Sequence, residues 1–491
     1  MRSCCYIFLF ISFGLILTTA KSQTSSNPSS DKPNILLILV DDLSWSAITP
    51  YGNQYQDMPH LTRLVSEGMR FTDAYVTPQC TPTRASLLTG QHTARNEMWH
   101  VIPGYGYPYA KMREPTFRRN LPRGTYTLGK ALQDQGYTTA LLGKWHLTAN
   151  DDGHYLYLYD QGKAYYGFDY VNPRQNPENY ANSGDKGVQF LTDEAIQFME
   201  SSVEDQQPFF VYLSHHSIHT KVYAPDSLVA QYKSQGWPLE KRQIEKVSFP
   251  SNAVYLAALK HLDNSVGQLL YAIEQLSIEE NTVVIFLSDN GGDDSQFENY
   301  PLRYGKGSAY EGGIRVPLIV KYPKLIKRGT ASNEPVHVVD IYPTLLDLAR
   351  GKAKEDHPLD GLSLRPLLTQ QGNLNRDALY WYMPLYDAQW GATPSAVIRE
   401  GSYKLIHFFG DHIDLENGGA YITEAKTVLY NLEKDISETT DLSGEMPERV
   451  SEMKDKLLHW IDKMGAELPT LNPDYNPDSA LVSKPGGRFK L

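Results

Sequence analysis

The stretch NILLILVDD, residues 34–42, decides the fold, because a run of apolar residues passes directly into two aspartates. The stretch TVVIFLSDN, residues 282–290, repeats this design and ends in an aspartate and an asparagine. Uninterrupted apolar runs of this length are typical of strands that are buried on both faces of a parallel sheet. The two stretches therefore predict two core strands, each of which ends in polar groups.

Two further apolar runs have the same form. TTALLG (138–143) is followed by a lysine, a tryptophan and a histidine, and PFFVYLS (208–214) is followed by HHSIH (215–219). Helical patterns, among them residues 58–68 and 252–276, alternate with these runs, as βαβ units require. We therefore predict an α/β fold, with a mostly parallel mixed sheet between helices. Ligands of such sheets collect beyond the carboxyl ends of the strands, so we expect the four polar ends to form one site.

The N-terminal region predicts an exported protein. Arg2 precedes the uncharged apolar run 4–19, and small and polar residues follow. We interpret residues 1–22 as a signal peptide and the Ser/Asn/Pro-rich residues 23–32 as a linker. The alternative is an uncleaved membrane anchor, since the run is near the lower length limit for a bilayer span. The expected location is periplasmic or secreted, without stable membrane association.

Charge and cysteine content restrict the function. The chain has 491 residues and a formal net charge of −11, which argues against a general nucleic-acid binder. An anionic substrate stays compatible with this charge, because a few cations in a cleft can dominate the local field. Cys4 and Cys5 lie in the predicted signal peptide, which leaves Cys80 without an internal disulfide partner. Cys80 is therefore either a small buried residue or a residue with a special chemical use.

The polar strand ends supply ligands for a hard divalent cation. Four residues offer carboxylate or amide oxygens: Asp41, Asp42, Asp289 and Asn290. Such a set suits Ca²⁺ or Mg²⁺ better than zinc, and Ca²⁺ is favoured because many oxygens are present without several retained waters. The three histidines of HHSIH also suggest zinc, although no second His/Cys cluster at zinc spacing is visible in the sequence.

Cationic and imidazole side chains are expected around these oxygens. They are Arg84, Lys144, Lys306 and Arg315, with His146 and His219. Arginine binds a tetrahedral oxyanion through two hydrogen bonds and lysine as a point charge. Displacement at sulfur or phosphorus needs a metal ion and several cations around one nucleophile, because charge on the equatorial oxygens must be neutralised.

The segment CTPTRASLLTG, residues 80–90, resembles the sulfatase signature: cysteine, any residue, proline, any residue, arginine, then a short helix that ends in Thr-Gly. Further segments resemble motifs of this family in the same order: NILLILVDDL (34–43), TTALLGKWHL (138–147), HHSIHT (215–220), VVIFLSDNGG (283–292), RYGKGSAYEGGIRVPLIV (303–320), HVVDIYPTLLDLA (337–349) and KTVLYNLEKDISETTDLS (426–443). The chain thus resembles a type I, formylglycine-dependent sulfatase of the alkaline phosphatase superfamily, similar to bacterial polysaccharide sulfatases.

This resemblance implies a chemically modified cysteine. In the family, the signature cysteine is oxidised to formylglycine (3-oxoalanine), which hydrates to a geminal diol. One hydroxyl attacks the sulfur of the ester, and deprotonation of the other then releases sulfate. The resemblance also implies a maturation enzyme that generates formylglycine from Cys80, and a sulfated glycan as substrate. That glycan is expected to be an algal polysaccharide (ulvan, carrageenan or fucoidan type) or a glycosaminoglycan.

The roles of the site residues are carried over motif by motif. One calcium ion is implied to bind Asp41, Asp42, Asp289, Asn290 and the formylglycine at position 80. The implied catalytic residues are Arg84, which supports the diol, Lys144 and Lys306, which hold sulfate oxygens, His146, which deprotonates the diol, and His219, which donates a proton to the leaving oxygen. Arg315 is expected to brace the segment of Glu311.

Two positions depart from the family pattern, and two other functions stay open. Lys221 follows Thr220 where the family usually has proline, and Thr83 stands where serine is frequent. One alternative is a phosphodiester or phosphonate monoester hydrolase, because relatives with the same cysteine signature perform that chemistry. The other is a catalytically inactive glycan-binding protein, which would keep Cys80 unmodified.

Two domains and one substrate loop complete the expectations. We predict a catalytic domain over residues 33–368 and a C-terminal domain over 369–491, with an antiparallel sheet, a hairpin turn at REGSYK (399–404), an amphipathic helix and a tail packed near the cleft. The loop 96–122 is rich in aromatic residues, glycine and cations. We predict that Trp99, His100, Tyr105 or Arg113 shapes the sugar subsites there. The alternative is a surface loop that its aromatic side chains hold in place.

Overall fold

The computed structural model describes residues 1, 32–55, 57–102, 104–149, 165–172, 184–237, 252–294, 297, 299–414, 419–485 and 489–490. The predicted signal peptide (1–22) and linker (23–32) lie outside the described residues, apart from Met1 and Lys32. No helix in the described ranges is both long enough and apolar enough to cross a bilayer.

Four of the strands lie on the four predicted apolar runs. In chain order they are β1 (Asn34–Val40), β2 (Met69–Tyr75), β3 (Tyr105–Gly106), β4 (Met112–Arg113), β5 (Phe117–Arg118), β6 (Thr138–Gly143), β7 (Tyr170–Val171), β8 (Phe209–His215), β9 (Thr282–Ser288), β10 (Arg315–Lys321), β11 (Thr330–Ser332), β12 (Val336–His337), β13 (Leu379–Met383), β14 (Ser395–Glu400), β15 (Tyr403–Phe408), β16 (His412–Asp414), β17 (Ala420–Ile422), β18 (Lys426–Asn431), β19 (Thr470–Leu471), β20 (Lys484–Pro485) and β21 (Phe489–Lys490).

The helices surround the sheets. In chain order they are α1 (Pro59–Glu67), α2 (Cys80–Thr89), α3 (Thr93–Asn96), α4 (Leu128–Gln133), α5 (Val188–Glu204), α6 (Asp226–Ser234), α7 (Ala253–Gln275), α8 (Glu311–Ile314), α9 (Ile341–Leu348), α10 (Arg365–Leu368) and α11 (Pro447–Met464). The helical patterns at 58–68 and 252–276 correspond to α1 and α7.

The main sheet is mixed and mostly parallel, as the sequence predicts. Its order is β11-β2-β10-β9-β1-β8-β6-β7, with β12 beside β2. Strand β1 lies between β8 and β9 and runs parallel to both, and β6 runs parallel to β8. Strand β10 is antiparallel to β9 and β2. The four strands that precede the polar clusters are therefore neighbours that point in one direction, so their carboxyl ends meet at one edge.

Helices cover both faces of the main sheet, which explains the uninterrupted apolar runs. Ile35, Leu37 and Leu39 pack into one core with residues of α2, α4 and α9. Leu36 and Ile38 pack on the opposite face with residues of α1, α5 and α7. Because side chains alternate along a strand, a strand between two helical layers needs an apolar residue at every position.

The C-terminal region forms the predicted antiparallel sheet, in the order β13-β14-β15-β18. Glu400 pairs with Tyr403 across the predicted hairpin turn. One face of the sheet packs against α11, where Met453, Leu457 and Ile461 are buried. The other face packs against Tyr75 and Ile314 of the main sheet region, so the two sheets share an apolar contact.

The C-terminal tail is more regular than the predicted loop. Strand β19 pairs with β4, β20 with β3, and β21 with β5, so three short pairings fasten the tail to residues 105–118. Asn472 adds side-chain hydrogen bonds to the carbonyls of Pro108 (2.8 Å) and Ala110 (2.7 Å). The two segments satisfy each other's backbone groups, which neither could do alone.

Candidate active site

The ends of β1 and β9 bring the predicted metal ligands together. Val40 is paired with Ser288 in the parallel ladder, so the residues that follow leave the sheet side by side. Asp41, Asp289 and Asn290 are 0% exposed, and Asp42 is 2% exposed. Asp42 has a positive φ of 61°, and its backbone N–H donates to Asp289 Oδ1 over 3.2 Å. Four polar side chains are thus buried, although apolar side chains normally occupy such positions.

Cys80 faces these carboxylates from a different element. It is the first residue of α2, and it is 1% exposed. One ligand atom each of Asp41, Cys80 and Asp289 lies within 4.8 Å of the other two. Burial raises the pKa of the Cys80 thiol, although Lys144 and Lys306 act in the opposite direction. The thiol therefore sits inside a charged cluster and is not part of the apolar core.

Arg84 lies one turn further along α2 and is completely buried. Its Nε and Nη2 donate to Asp289 Oδ2 over 2.9 and 2.6 Å. Its Nη1 donates to the Lys144 carbonyl (2.9 Å) and to Ser214 Oγ (2.5 Å). Burial and the neighbouring Asp41 raise the pKa of Asp289 to about 7, and Arg84 opposes this shift. Arg84 therefore links the helix that carries Cys80 to the ends of three strands.

Two lysines neutralise the other carboxylates. Lys144 Nζ lies 2.6 Å from Asp41 Oδ2, and Lys306 Nζ lies 2.7 and 2.9 Å from the two oxygens of Asp42. Burial alone would raise the pKa of Asp41, but Lys144 together with the nearby histidines holds that pKa well below its usual range. The pKa of Asp42 is lowered in the same way, chiefly by Lys306 against the effect of burial. Both carboxylates are therefore charged at neutral pH.

His146 is oriented towards Cys80. Its Nε2 lies 2.7 Å from the Ile102 carbonyl, which fixes a proton on that nitrogen because a carbonyl only accepts. Its Nδ1, 3.2 Å from Cys80 Sγ, is therefore an acceptor. Burial and Lys144 hold the pKa of His146 well below its ordinary value, so the ring is neutral.

The segment HHSIH contributes two histidines to the cluster and one to the core. His216 Nδ1 lies 2.5 Å from Asp41 Oδ2, and the His216 ring stacks on His219 at 4.5 Å. His219 Nε2 lies 3.8 Å from Asp42 Oδ2, and burial lowers its pKa to about 4 against the effect of Asp41. His215 points away, with Nε2 3.2 Å from Ser265 Oγ. The three histidines therefore do not converge on one zinc ion.

Two buried oxygens of the cluster have no hydrogen-bond partner: Asp41 Oδ1 and Asn290 Oδ1. Asn290 Nδ2 donates to Asp42 Oδ1 (2.7 Å) and to the Gly291 carbonyl (2.8 Å), which directs the amide oxygen away from both. A buried oxygen without a partner costs free energy unless a ligand satisfies it. Carboxylate and amide oxygens in this arrangement fit a hard divalent cation.

Comparison with known proteins identifies the family. A family model described as "Sulfatase" matches residues 33–352. This chain belongs to the sulfatase family. A second family model, "N-sulphoglucosamine sulphohydrolase, C-terminal", matches residues 302–464. The protein is therefore a sulfuric ester hydrolase, and the resemblance seen in the sequence motifs is confirmed.

The sulfatase is similar to proteins from distant organisms over most of its length. A sulfatase of Formosa agariphila is 29% identical over 546 residues, which cover 92% of this chain and 93% of the relative. Human arylsulfatase A is 30% identical over 475 residues, with 88% and 86% coverage. The crystal structure of Ps i-CgsB in complex with k-i-k-neocarrahexaose has a TM-score of 0.69 and 26% identity, and it covers 88% of this chain and 93% of its own.

The structure brings the ten central residues predicted for this sulfatase into one cluster: Asp41, Asp42, Cys80, Arg84, Lys144, His146, His219, Asp289, Asn290 and Lys306. Arg315 lies outside it. Its Nη1 contacts Glu311 Oε2 (3.2 Å) and its Nη2 contacts Asp73 Oδ2 (3.0 Å), in line with the predicted bracing role.

The predicted substrate loop has a different arrangement. Trp99 is 3% exposed and packs edge-on against Tyr382, and His100 is 0% exposed and stacks on Phe117. Both side chains are buried, and neither is among the described residues that line the cavity beside the cluster. Trp99 packs in the apolar core of the C-terminal sheet. The assignment of these two residues to sugar subsites stays a prediction. Arg113 is partly exposed and lies 3.9 Å from Asp474. Tyr105 belongs to β3, which pairs with the tail, and its side chain lies outside the described part of the structure.

A cavity of about 730 Å³ opens beside the cluster of this sulfatase, and most of its lining residues are not among the predicted site residues. Asp42, His219 and Lys306 line it on the side of the main sheet. Asp293, Asp294 and Trp390 also line it, and Trp390 comes from the C-terminal region. Trp390 has no motif around it, and only the docking of the two sheets brings it to the site. The sequence also does not single out His216, because spacing alone cannot tell which of two adjacent histidines faces a strand end.

Proposed function

We propose that this sulfatase removes sulfate from a sulfated glycan, with formylglycine at position 80 and Ca²⁺ bound by Asp41, Asp42, Asp289 and Asn290. One observation carries the proposal. Cys80, the single cysteine among the residues that the structure describes, is buried in a cluster with three carboxylates and five cationic or imidazole side chains, next to a cavity lined by Lys306 and His219. A thiol that served packing alone would have apolar neighbours.

Position 80 is arranged for a nucleophile. The N-terminus of α2 favours negative charge there, and Cys80 is its first residue. Formylglycine at this position would supply, as its hydrate, the hydroxyl that attacks sulfur. His146 Nδ1 is an acceptor 3.2 Å from the position-80 side chain, so it is placed to take a proton from it. Arg84 holds the helix against Asp289 and fixes this geometry.

The oxygens at the ends of β1 and β9 support a calcium site. Asp41 Oδ1 and Asn290 Oδ1 are buried without partners, as ligand atoms for an ion would be. Ca²⁺ would neutralise charge that develops on the sulfate oxygens. Ca²⁺ is preferred to Mg²⁺ because the set is crowded with oxygens and leaves little room for retained waters.

Lys306 and His219 line the cavity, Lys144 belongs to the adjoining cluster, and all three suit the sulfate group. Lys144 and Lys306 carry ammonium groups that now contact Asp41 and Asp42, and each can also donate to a sulfate oxygen. His219 has a pKa of about 4, so it is neutral before substrate binds. A bound sulfate anion raises the pKa of a neighbouring imidazole, which would let His219 hold the proton for the leaving oxygen.

The glycan part of the proposal rests on the cavity and on one solved relative. A volume of about 730 Å³ is in the range that accepts a sugar unit together with its sulfate group. The similar structure of Ps i-CgsB is a complex with k-i-k-neocarrahexaose. We therefore propose an algal polysaccharide or a glycosaminoglycan as substrate, an exported protein, and maturation by a formylglycine-generating enzyme.

The decisive experiment is mass spectrometry of the peptide that contains residue 80, from protein made in a host with the maturation enzyme. We expect a peptide that is lighter by the change from thiol to aldehyde, and a modified fraction that correlates with activity. An unmodified thiol in fully active protein would contradict the mechanism.

Activity assays test the reaction itself. Matched aryl sulfate and aryl phosphodiester substrates are compared first, and a panel of sulfated algal and glycosaminoglycan oligosaccharides follows, with desulfation monitored by NMR. Preference for the phosphodiester would replace the sulfatase assignment by the phosphodiesterase alternative. Failure on every oligosaccharide of the panel, with activity on aryl sulfate, would contradict the glycan substrate.

A further inference from the structure

Two aromatic residues, Tyr304 and Trp390, are among the described residues that line the cavity, and Trp390 comes from the C-terminal region. Trp390 ends a short 3₁₀ turn, Ala388–Trp390, between β13 and β14. Its ring is partly exposed, lines the cavity and lies 5.8 Å from Lys306 Nζ, measured to the ring centroid. A sugar whose sulfate contacts Lys306 would therefore have its ring beside the face of Trp390.

Trp390 packs directly against Gly307. A Cβ atom added to Gly307 would lie 2.3 Å from Trp390 Cβ, far inside contact distance, and Gly307 has a φ of +83° that side-chain-bearing residues rarely adopt. The backbone N–H of Gly307 donates to the Pro78 carbonyl over 2.7 Å. Because Gly307, the residue after Lys306, has no Cβ atom, Trp390 can approach its backbone closely. This packing fixes the distance between the Lys306 ammonium group and the Trp390 ring.

The turn of Trp390 is anchored at two more points. Asp387 Oδ2 accepts a hydrogen bond from Nε2 of Gln79, the residue before Cys80, over 2.8 Å. The backbone N–H of Ala388 donates to Tyr107 Oη over 3.0 Å. An aromatic surface that is fixed before the ligand arrives loses little conformational entropy on binding, which is what a sugar platform requires. Tyr107, in the segment 105–118, therefore supports the turn that carries Trp390.

Two carboxylates flank this platform. Asp293 is buried and accepts a hydrogen bond from Thr220 Oγ1 (2.7 Å), and Asp294 is exposed and accepts one from Asn299 Nδ2 (2.7 Å). Both line the cavity, whereas Lys306 is the single lysine or arginine among the described lining residues. Carboxylates accept hydrogen bonds from sugar hydroxyls and repel a nearby anion.

We infer that Trp390 stacks on the sugar ring that carries the scissile sulfate, and that Asp293 and Asp294 restrict this ring to one without a carboxylate or a second sulfate. The substrate ring is thus a neutral pyranose with one sulfate ester, and uronic acids or further sulfates belong to neighbouring rings. This inference rests on the proposed glycan sulfatase function and adds a specificity that the function alone does not require.

The first test concerns the platform. Trp390→Ala, Trp390→Phe and the control Tyr271→Ala, an aromatic residue 60% exposed on α7, are compared with the mature wild type on a monosulfated neutral oligosaccharide that the wild type hydrolyses. We expect Trp390→Ala to raise KM by about tenfold or more, because the apolar face of the ring loses its contact. We expect kcat to change less than KM, Trp390→Phe to recover most of the loss, and Tyr271→Ala to match the wild type. Equal KM values for Trp390→Ala and wild type would overturn the platform, and equal thermal unfolding midpoints would exclude misfolding as the cause of a loss.

The second test concerns charge. The ratio of kcat/KM for a ring with one sulfate to kcat/KM for the same ring with two sulfates is measured for wild type and for Asp294→Asn, which keeps the size of the side chain. We expect the variant to lower this ratio by about threefold to tenfold at low salt, and by less at high salt. An unchanged ratio would refute the charge selection while leaving the platform intact. A wild type that hydrolyses no glycan sulfate but does hydrolyse aryl sulfate would overturn the glycan function and with it both parts of the inference.

Discussion

Two regions of this sulfatase are rich in charged and aromatic side chains, and they differ in what surrounds those side chains. At the carboxyl edge of the main sheet, charged residues are buried and lie within hydrogen-bond distance of each other, as with Lys144 and Asp41 at 2.6 Å. In the segment 99–118, aromatic residues are buried against apolar partners, as with Trp99 and Tyr382. The difference teaches that the place where a strand ends says more about function than the presence of aromatic or cationic residues.

The physical basis of the contrast is the cost of burial. A buried carboxylate is expensive unless charges and hydrogen bonds compensate it, so a buried cluster of several carboxylates indicates that the arrangement serves a ligand. A buried tryptophan stabilises the fold by its apolar area alone and needs no further function. We therefore expect changes in the charged cluster to alter activity, and changes at the buried aromatic residues to alter stability.

We expect the largest effect from Cys80→Ala, at the carboxyl edge of the main sheet. Loss of the nucleophile should lower kcat by at least about 10⁴-fold. The free energy of unfolding should change by only about 1 kcal/mol, because only the one or two atoms beyond Cβ are removed from a buried position. Steady-state kinetics and denaturant titration measure the two quantities on the same preparation. A variant that retained a tenth of the activity would show that position 80 is not the nucleophile.

Trp99→Ala should have the opposite profile. Trp99 is 3% exposed between Phe117 and Tyr382, so its truncation leaves a cavity and should destabilise the protein by about 3–5 kcal/mol. Below the unfolding transition, kcat/KM of the folded fraction should stay within a small factor of wild type. Urea titration gives the stability, and Trp99→Phe is the matched control, with a smaller loss expected. Stable Trp99→Ala protein with a large rise in KM would restore Trp99 to the sugar subsites.

Most of the fold and the chemistry of the site could be predicted from the sequence, because both depend on local patterns. Apolar runs marked the strands, and the residues after each run, such as Asp41 and Asp289, marked the site. The position of Trp390 could not be predicted, since it depends on how the C-terminal sheet docks on the main sheet. The same docking decided that Trp99 and His100 are buried. Contacts between elements far apart in the chain leave no periodic signal in the sequence.

We expect calcium removal to have an intermediate effect that is confined to the carboxyl edge of the main sheet. If Ca²⁺ binds the folded state alone, its presence at one hundred times the dissociation constant adds about 2.7 kcal/mol to the free energy of unfolding. Chelation should therefore lower both the thermal unfolding midpoint and the activity, and added Ca²⁺ should restore both. Asn290→Ala is the matched variant, because it removes the unpartnered amide oxygen and should weaken the calcium-dependent shift. Metal-free protein with full activity would contradict the ligand assignment.

The smallest effect is expected for Arg113→Ala in the segment 99–118. The Arg113 side chain is 37% exposed, and its acidic neighbour Asp474, at 3.9 Å, is 70% exposed. Exposed ion pairs of this kind contribute little, so stability should change by less than about 1 kcal/mol. Arg113 is also not among the described residues that line the cavity, so KM for the glycan should stay the same.

Arg113→Lys serves as the control that keeps the charge while losing the planar guanidinium. If Arg113→Ala raised KM for a long oligosaccharide but not for a short one, and Arg113→Lys did not, Arg113 would contact a sugar beyond the cavity. The buried residues of the segment 99–118 would then serve the fold, whereas its exposed edge would bind substrate. Equal KM values for both variants and wild type, on long and short substrates, would show that Arg113, the one partly exposed cation predicted for the substrate loop, has no part in binding. The whole segment 99–118 would then differ from the charged cluster in having no part in substrate binding.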